Sequence, residues 1–141
     1  MSMKSNQQDQ PFQNWIRGAS VLVWICLLAA WTALLLIPVP SEAVSAVGGA
    51  QASFWVSKFL HVSVYAVFAL LIAWLPLARR WRIVLIVLLV MHGGTTEIAQ
   101  QFVHRGSSWL DFGRDSLGIA LGILLGWRRW RGNALAKSPE E

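Results

Sequence analysis

The chain has 141 residues, of which 55% are hydrophobic and only 13% are charged. Soluble domains carry about 25% charged residues, so this composition argues for a membrane protein and against an ordinary soluble domain. The formal charge of +5 comes from short basic clusters beside apolar runs, which is typical of membrane flanks and argues against a nucleic-acid partner.

Four apolar segments are long enough to cross a bilayer, because a membrane-spanning helix needs ~20 mostly apolar residues. The predicted fold is therefore all-α, a polytopic bundle of four transmembrane helices. The apolar run of the first segment is too long for a signal peptide, whose apolar core has roughly 7–15 residues. In chain order the predicted spans are residues 18–37, 55–75, 83–103 and 110–127.

The connections between these spans differ in composition. Residues 38–54 are small and nearly uncharged, which predicts a loop, and residues 76–82 form a tight basic turn. We expect three parts of the chain, namely an N-terminal segment at residues 1–14, the transmembrane domain at 15–130 and a mobile tail at 131–141.

The distribution of lysine and arginine predicts the orientation. With four spans, the side that holds both termini carries nine basic residues and the opposite side carries three. Cytoplasmic loops carry the excess of lysine and arginine, so both termini are predicted to be cytoplasmic. The three basic residues on the opposite side are Lys58, Arg105 and Arg114.

Three polar side chains from different spans are predicted to lie at one depth. From the helical rise per residue, His61, Glu97 and Asp115 each lie about 8–9 Å below the outer surface of the hydrocarbon core. A charge in this position is costly, so groups of this kind usually face the bundle interior and mark a functional site. An ion-pair network that only stabilises the bundle is the alternative.

Helical spacing groups further polar residues with these three. Lys58, His61 and Tyr65 form one stripe at i, i+3 and i+7, and Asp111 precedes Asp115 by four residues. These stripes are predicted to point into the bundle. A further stripe at i, i+3, i+4 and i+7 consists of Glu97, Gln100, Gln101 and His104.

Glycines continue the stripe of the fourth span. Gly118, Gly122 and Gly126 are four residues apart, and small residues at this spacing let another membrane helix approach closely. Helix packing is their predicted role. His92, near the middle of the third span, is predicted to be a hydrogen-bonded structural residue within reach of Thr95 or Thr96.

Two stretches together resemble the VanZ-like family of membrane proteins. "KFLHVSVY" resembles that family's K-x-x-H-x-x-x-Y stripe. "EIAQQFVHRGSSWLDFGRDSLGIALG" resembles its E-x-x-Q motif, an arginine in the following turn and D-x-x-x-N-x-x-G. The chain departs from the family at Ser57, where an acidic residue is common, and at Asp115, where the family has asparagine. The matched residues are Lys58, His61, Tyr65, Glu97, Gln100, Arg105, Asp111, Gly118 and Gly122.

The resemblance implies a multi-pass protein of the bacterial cytoplasmic membrane that acts in the cell envelope. The founding member of the family is associated with low-level resistance to teicoplanin, a glycopeptide that acts on cell-wall precursors at the outer face. No reaction follows from the resemblance, so whether this chain is an enzyme stays open.

The favoured hypothesis is a binding site for an anionic lipid or cell-wall precursor in the outer leaflet. Lys58, Arg105 and Arg114 would hold the anion, because arginine donates paired hydrogen bonds to phosphate. Glu97, Gln100 and Asp111 would orient these cations and the ligand. The predicted ligand-binding residues are Lys58, His61, Tyr65, Glu97, Gln100, Arg105, Asp111, Arg114 and Asp115. Lys58 and Arg105 could instead be interface residues that reach towards lipid headgroups.

Other classes of function stay open. An enzyme acting on a lipid-linked substrate could use His61 with Glu97 or Asp111 as acid and base, and a structural protein of a larger membrane complex or a transporter is also compatible with the sequence. A metal site formed from Glu97, His104, Asp111 or Asp115 matches no known ligand spacing. We therefore expect no metal and no cofactor. Membrane lipids are the expected partners, and a homo-oligomer is left open.

Overall fold

A computed structural model describes residues 10–37, 46, 48–102 and 108–135 of the chain, and in these ranges it contains helices and no strand. The chain is thus all-helical where the structure describes it. We number the helices in chain order as α1 (Gln10–Leu36), α2 (Gly49–Trp74), α3 (Arg79–Phe102), α4 (Trp109–Leu125) and α5 (Trp127–Leu135).

Three of the described helices are long and apolar enough to cross a membrane. They correspond to Phe12–Leu36 in α1 and to the whole of α2 and α3. Helix α4 has 17 residues and is not among them. Large apolar side chains cover the outside of the bundle, including Phe59 at 72% exposure and Phe102 at 79%. A soluble protein rarely exposes such an extensive apolar surface, whereas lipid tails would cover it.

Several helix boundaries differ from those predicted. Helix α1 begins at Gln10 and not at Gly18, and residues 49–54, predicted as part of a loop, form the first turns of α2. Residues 131–135, assigned to the tail, belong to α5. Residues 1–9, 38–45 and 136–141 lie outside the described residues. A helix can extend past the apolar run because its polar ends reach into the headgroup region or water.

Helices α2 and α4 pack very closely against each other. A Cβ atom added to Gly118 would collide with the backbone carbonyl of Val62, and one added to Gly122 would collide with the carbonyl of Ala66. At Gly126 an added Cβ would come within 2.8 Å of the Ala73 Cβ. The glycine stripe therefore lies directly against the backbone of α2 and sets the separation of the two helices.

An apolar core joins α1, α2, α3 and α4. The Trp24 indole of α1 meets the Phe68 ring of α2 edge-on, and its Nε1 donates a hydrogen bond of 3.3 Å to the Phe68 carbonyl. The buried members of this core are Trp24, Tyr65, Phe68, Ala69, Ile72, Leu75, Leu89 and Ile119.

Buried Arg82 acts as a brace at the α2–α3 turn. Its guanidinium donates hydrogen bonds to the carbonyl oxygens of Leu75 at 2.8 Å and Arg129 at 3.3 Å.

Candidate functional site: a buried polar cluster of three helices

The close packing of α2 and α4 joins an ion triad at the start of α4. Lys58 Nζ on α2 lies 2.8 Å from Asp111 Oδ1 and 2.5 Å from Asp111 Oδ2 on α4. Arg114, one turn after Asp111, donates to the same carboxylate. Asp111 is only 2% exposed, whereas the side chains of Lys58 and Arg114 are 16% and 28% exposed. One buried carboxylate therefore fixes two cations whose side chains stay partly exposed.

A second contact joins α2 and α4 one turn deeper. His61 Nδ1 lies 2.8 Å from Asp115 Oδ1, and both side chains are buried. The Trp31 ring of α1 meets the imidazole edge-on with 6.2 Å between ring centroids, so the indole covers one side of the His61 ring. The imidazole is thus oriented by a carboxylate, an arrangement that can support proton transfer or metal ligation.

Glu97 of α3 completes this deeper group. Its Oε2 accepts a hydrogen bond of 2.9 Å from the backbone N–H of Ser108, the N-cap residue of α4. Its Oε1 is buried and has no hydrogen-bond partner among the described residues. Ligand atoms of His61, Glu97 and Asp115 lie within 4.8 Å of one another. The three groups predicted to share one depth are therefore in one place.

Gly93 of α3, which has no side chain, leaves room for the cluster of His61, Glu97 and Asp115. A Cβ on Gly93 would lie 3.2 Å from Asp115 Oδ2 and 3.6 Å from the Tyr65 ring. Asp115 Oδ2 is itself buried, with no hydrogen-bond partner in the part of the chain that the structure describes. Gly93 thus lets α3 and α4 approach each other at the level of the cluster.

Tyr65 and His92 form a hydrogen-bonded chain beside the cluster. The Tyr65 hydroxyl lies 3.0 Å from His92 Nδ1, and His92 Nε2 lies 2.8 Å from the hydroxyl of Thr32 on α1. His92 is hydrogen-bonded as predicted, but its ring bonds Tyr65 and Thr32, whereas the Thr95 and Thr96 hydroxyls donate to its backbone carbonyl. The ring instead joins α1, α2 and α3.

The remaining predicted site residues are distributed differently. Gln100 is buried and its side-chain nitrogen donates a 3.2 Å hydrogen bond to the Leu35 carbonyl, so it ties α3 to α1. Gln101 is exposed and does not share the inward face expected for its stripe. His104 and Arg105 lie outside the described residues.

The structure thus separates the predicted set into neighbouring groups. Lys58, Asp111 and Arg114 form the outer triad, and His61, Glu97 and Asp115 form the deeper cluster. Sequence reasoning missed Ser108 and Gly93. Ser108 carried a signal, because a serine three residues before an aspartate is typical of a helix N-terminus. Gly93 carried none, since a lone glycine in an apolar helix has many explanations.

The charges of the two groups do not cancel. Glu97, Asp111 and Asp115 are three acidic groups, and Lys58 and Arg114 are the cations paired within the described ranges, both of them with Asp111. The deeper cluster holds two carboxylates, and in the described ranges neither is paired with a lysine or an arginine. Such a group suits a cation or a proton, whereas the outer triad presents positive charge to the surface.

No family model, curated protein sequence or solved structure matches this chain. The resemblance to the VanZ-like family therefore stays a prediction from the residues that carry it.

Proposed function

We propose that this protein spans the bacterial cytoplasmic membrane four times, with both termini in the cytoplasm, and binds an anionic lipid-type ligand at the outer leaflet. Three long apolar helices support the membrane location. Helix α4 would be the fourth span, a short one held against α2 by its glycines. The nine-to-three bias of basic residues supports the orientation.

The observation that carries the binding proposal is the triad of Lys58, Asp111 and Arg114. Lys58 has three N–H donors and Arg114 has five, so contact with one carboxylate leaves donors free for a ligand. Asp111 fixes both cations beforehand, which lowers the entropy lost when an anion binds. The planar guanidinium matches the oxygens of a phosphate.

An apolar groove next to the cluster suits the hydrocarbon part of such a ligand. The groove runs between α1 and α2, has a volume of about 360 Å³ and includes Trp31, Leu34 and Val64 in its lining. Trp31 contacts His61, so the groove adjoins the polar cluster. A lipid could place an acyl or prenyl chain here with its phosphate near the triad. This chemistry fits both an anionic phospholipid and a lipid-linked cell-wall precursor.

Native mass spectrometry of the detergent-purified protein tests the proposal. We expect the protein to retain phosphatidylglycerol in preference to zwitterionic phosphatidylethanolamine. Replacing the whole triad by Lys58→Gln, Asp111→Asn and Arg114→Gln should abolish this preference while leaving no buried charge unpaired. The matched control, Arg79→Gln with Arg80→Gln, removes two exposed cations at the other end of the bundle and should keep the preference. Equal lipid retention by the triad variant and the control would contradict the proposal.

A second candidate function is supported by the hydrogen bond between His61 and Asp115. A carboxylate that orients an imidazole is a common arrangement for acid–base catalysis, and Glu97 adds a second titratable group within reach. The substrate would then be a lipid-linked molecule of the kind described above. The same mass-spectrometry experiment tests this function, because incubation with a lipid-linked precursor would yield a product of changed mass that His61→Gln fails to produce.

The VanZ resemblance adds a cellular test of the proposed role in the envelope. Expression of this protein in a susceptible bacterium should raise the teicoplanin concentration needed to stop growth, and the triad variant should not. An unchanged concentration for the wild-type protein would remove glycopeptide resistance from the proposed function and leave the lipid-binding proposal to its own test.

A further inference from the structure

His61, Glu97 and Asp115 come from three different helices and meet in the interior of the bundle. They are 5%, 2% and 1% exposed, and each offers a ligand atom within 4.8 Å of the other two. Residues far apart in sequence converge here although the two acids repel each other. Burying such a group without compensation is costly, so its surroundings should supply a positive charge.

The described part of the chain does not supply that charge. Lys58 and Arg114 are both engaged by Asp111. In the described ranges, Glu97 Oε1 and Asp115 Oδ2 are buried with no hydrogen-bond partner. Buried carboxylate oxygens normally accept hydrogen bonds, so two orphaned oxygens in one cluster call for a specific explanation.

We propose that His61, Glu97 and Asp115 bind a divalent transition-metal ion of the Zn²⁺ or Mn²⁺ class. One imidazole with two carboxylates is a ligand set suited to these ions. Two ligands that bind one ion tetrahedrally at about 2.0–2.2 Å stand roughly 3.3–3.6 Å apart. The distance between His61 Nδ1 and Asp115 Oδ1 is 2.8 Å, so these side chains would separate by about half an ångström or more to admit the ion. Two positive charges would balance the two carboxylates.

The surroundings of the cluster fit this role. The Ser108 backbone N–H holds Glu97 Oε2 at 2.9 Å, which orients the carboxylate and leaves the orphaned Oε1 for the ion. Trp31 packs on the His61 ring and limits its rotation. Outer partners of this kind fix metal ligands in protein sites. The sequence does not predict this metal site, because no spacing rule links His61 to the two acids. The fold supplies the missing ligand by placing His61 beside them.

Metal analysis of the purified protein tests the inference without any ligand or activity. The protein is prepared without a polyhistidine tag, stripped with a chelator, incubated with Zn²⁺ or Mn²⁺ alone, dialysed, and analysed by elemental mass spectrometry. We expect equimolar retention of at least one of these ions and a higher unfolding temperature in its presence, because an ion that binds only the folded state stabilises it.

Two variants and one control define the site. His61→Ala and Glu97→Gln should each weaken metal affinity by at least about tenfold, as expected when a ligand is lost or neutralised. His92→Ala is the matched control, since it removes a half-buried histidine whose ring bonds Thr32 and Tyr65 and none of the three proposed ligands. It should retain the metal in full.

Two results would overturn the inference. One is a folded, monodisperse wild-type protein that retains neither ion, and the other is undiminished metal affinity in His61→Ala or Glu97→Gln. If either variant fails to fold, the test is instead to add Co²⁺ to the stripped wild-type protein. The inference then requires visible absorption bands typical of nitrogen and oxygen ligation, and their absence overturns it. The inference stands apart from the lipid-binding proposal, because metal-free protein can be tested for lipid retention separately.

Discussion

Replacement of Gly118 by alanine should destabilise the bundle although alanine is the better helix former. The added Cβ would collide with the Val62 carbonyl oxygen, and it would lie 3.1 Å from the Val62 carbonyl carbon and 3.2 Å from the Ala66 nitrogen. All three atoms belong to the backbone of α2, so no side-chain rotation can relieve the collision. The two helices must move apart instead.

The magnitude follows from two opposing terms. Overpacking of a tight interior costs about 1–3 kcal/mol, and the upper end applies where backbone must move. The higher helix propensity of alanine relative to glycine stabilises the variant by about 1 kcal/mol. Gly118→Ala should therefore lower the free energy of unfolding by about 2 kcal/mol.

Gly113 provides a matched control on the same helix. It is exposed, and an added Cβ would meet no heavy atom within 4 Å. Gly113→Ala should thus gain up to about 1 kcal/mol, which separates the two variants by about 3 kcal/mol. Reversible unfolding in mixed detergent–dodecyl sulfate micelles measures both. Gly118→Ala protein that is as stable as Gly113→Ala protein would refute the close-packing explanation.

Further predictions concern the orientation, the ion triad, the deeper cluster and the brace at the turn. A reporter fused after Glu141 should be active only if it functions in the cytoplasm, and activity of a periplasmic reporter there would reverse the proposed topology. Lys58→Met should cost about 3 kcal/mol because buried Asp111 loses one of its two cations, and a double-mutant cycle with Asp111→Asn should show that this loss depends on the carboxylate. Glu97→Gln should stay folded, since its amide oxygen can still accept from Ser108, but it should lose the envelope phenotype that the wild-type gene rescues; full rescue would exclude a functional role for this carboxylate. Arg82→Met should cost about 2 kcal/mol in unfolding experiments through loss of the hydrogen bonds to Leu75 and Arg129, and an unchanged stability would mean that the brace contributes nothing.

The sequence predicts the presence of the helices better than their ends. Apolar length alone identifies α1, α2 and α3, because the bilayer requires a continuous apolar run. Their boundaries depend on residues outside that run. Residues 49–54 include alanine and glutamine, which favour helix once α2 has started, although their small size and low charge are also typical of a loop.

The site was partly predictable because depth in a membrane restricts which residues can meet. Counting residues along the spans brings His61 and Asp115 to one level, since α2 and α4 run in the same direction, and the two side chains are in contact. Depth carries no information about the angle between helices, so it did not predict that Lys58 pairs with Asp111 while Glu97 turns towards Ser108. The hydrogen bond between His92 and Thr32 is also unpredictable from the sequence, because it depends on where α1 packs against α3.

The glycine contact between α2 and α4 also bears on how the protein enters the membrane. With 17 residues and Asp111, Arg114 and Asp115 in its first two turns, α4 is a poor substrate for partitioning into lipid as an isolated segment. Its two aspartates pair with Lys58 and His61 of α2, and Gly118 and Gly122 lie against the α2 backbone. If α4 crosses the bilayer as proposed, its insertion should therefore wait until α2 is in the bilayer and offers a surface for α4 to pack against. A truncated chain that lacks α2 should leave α4 outside the membrane, even though every residue of α4 is still present.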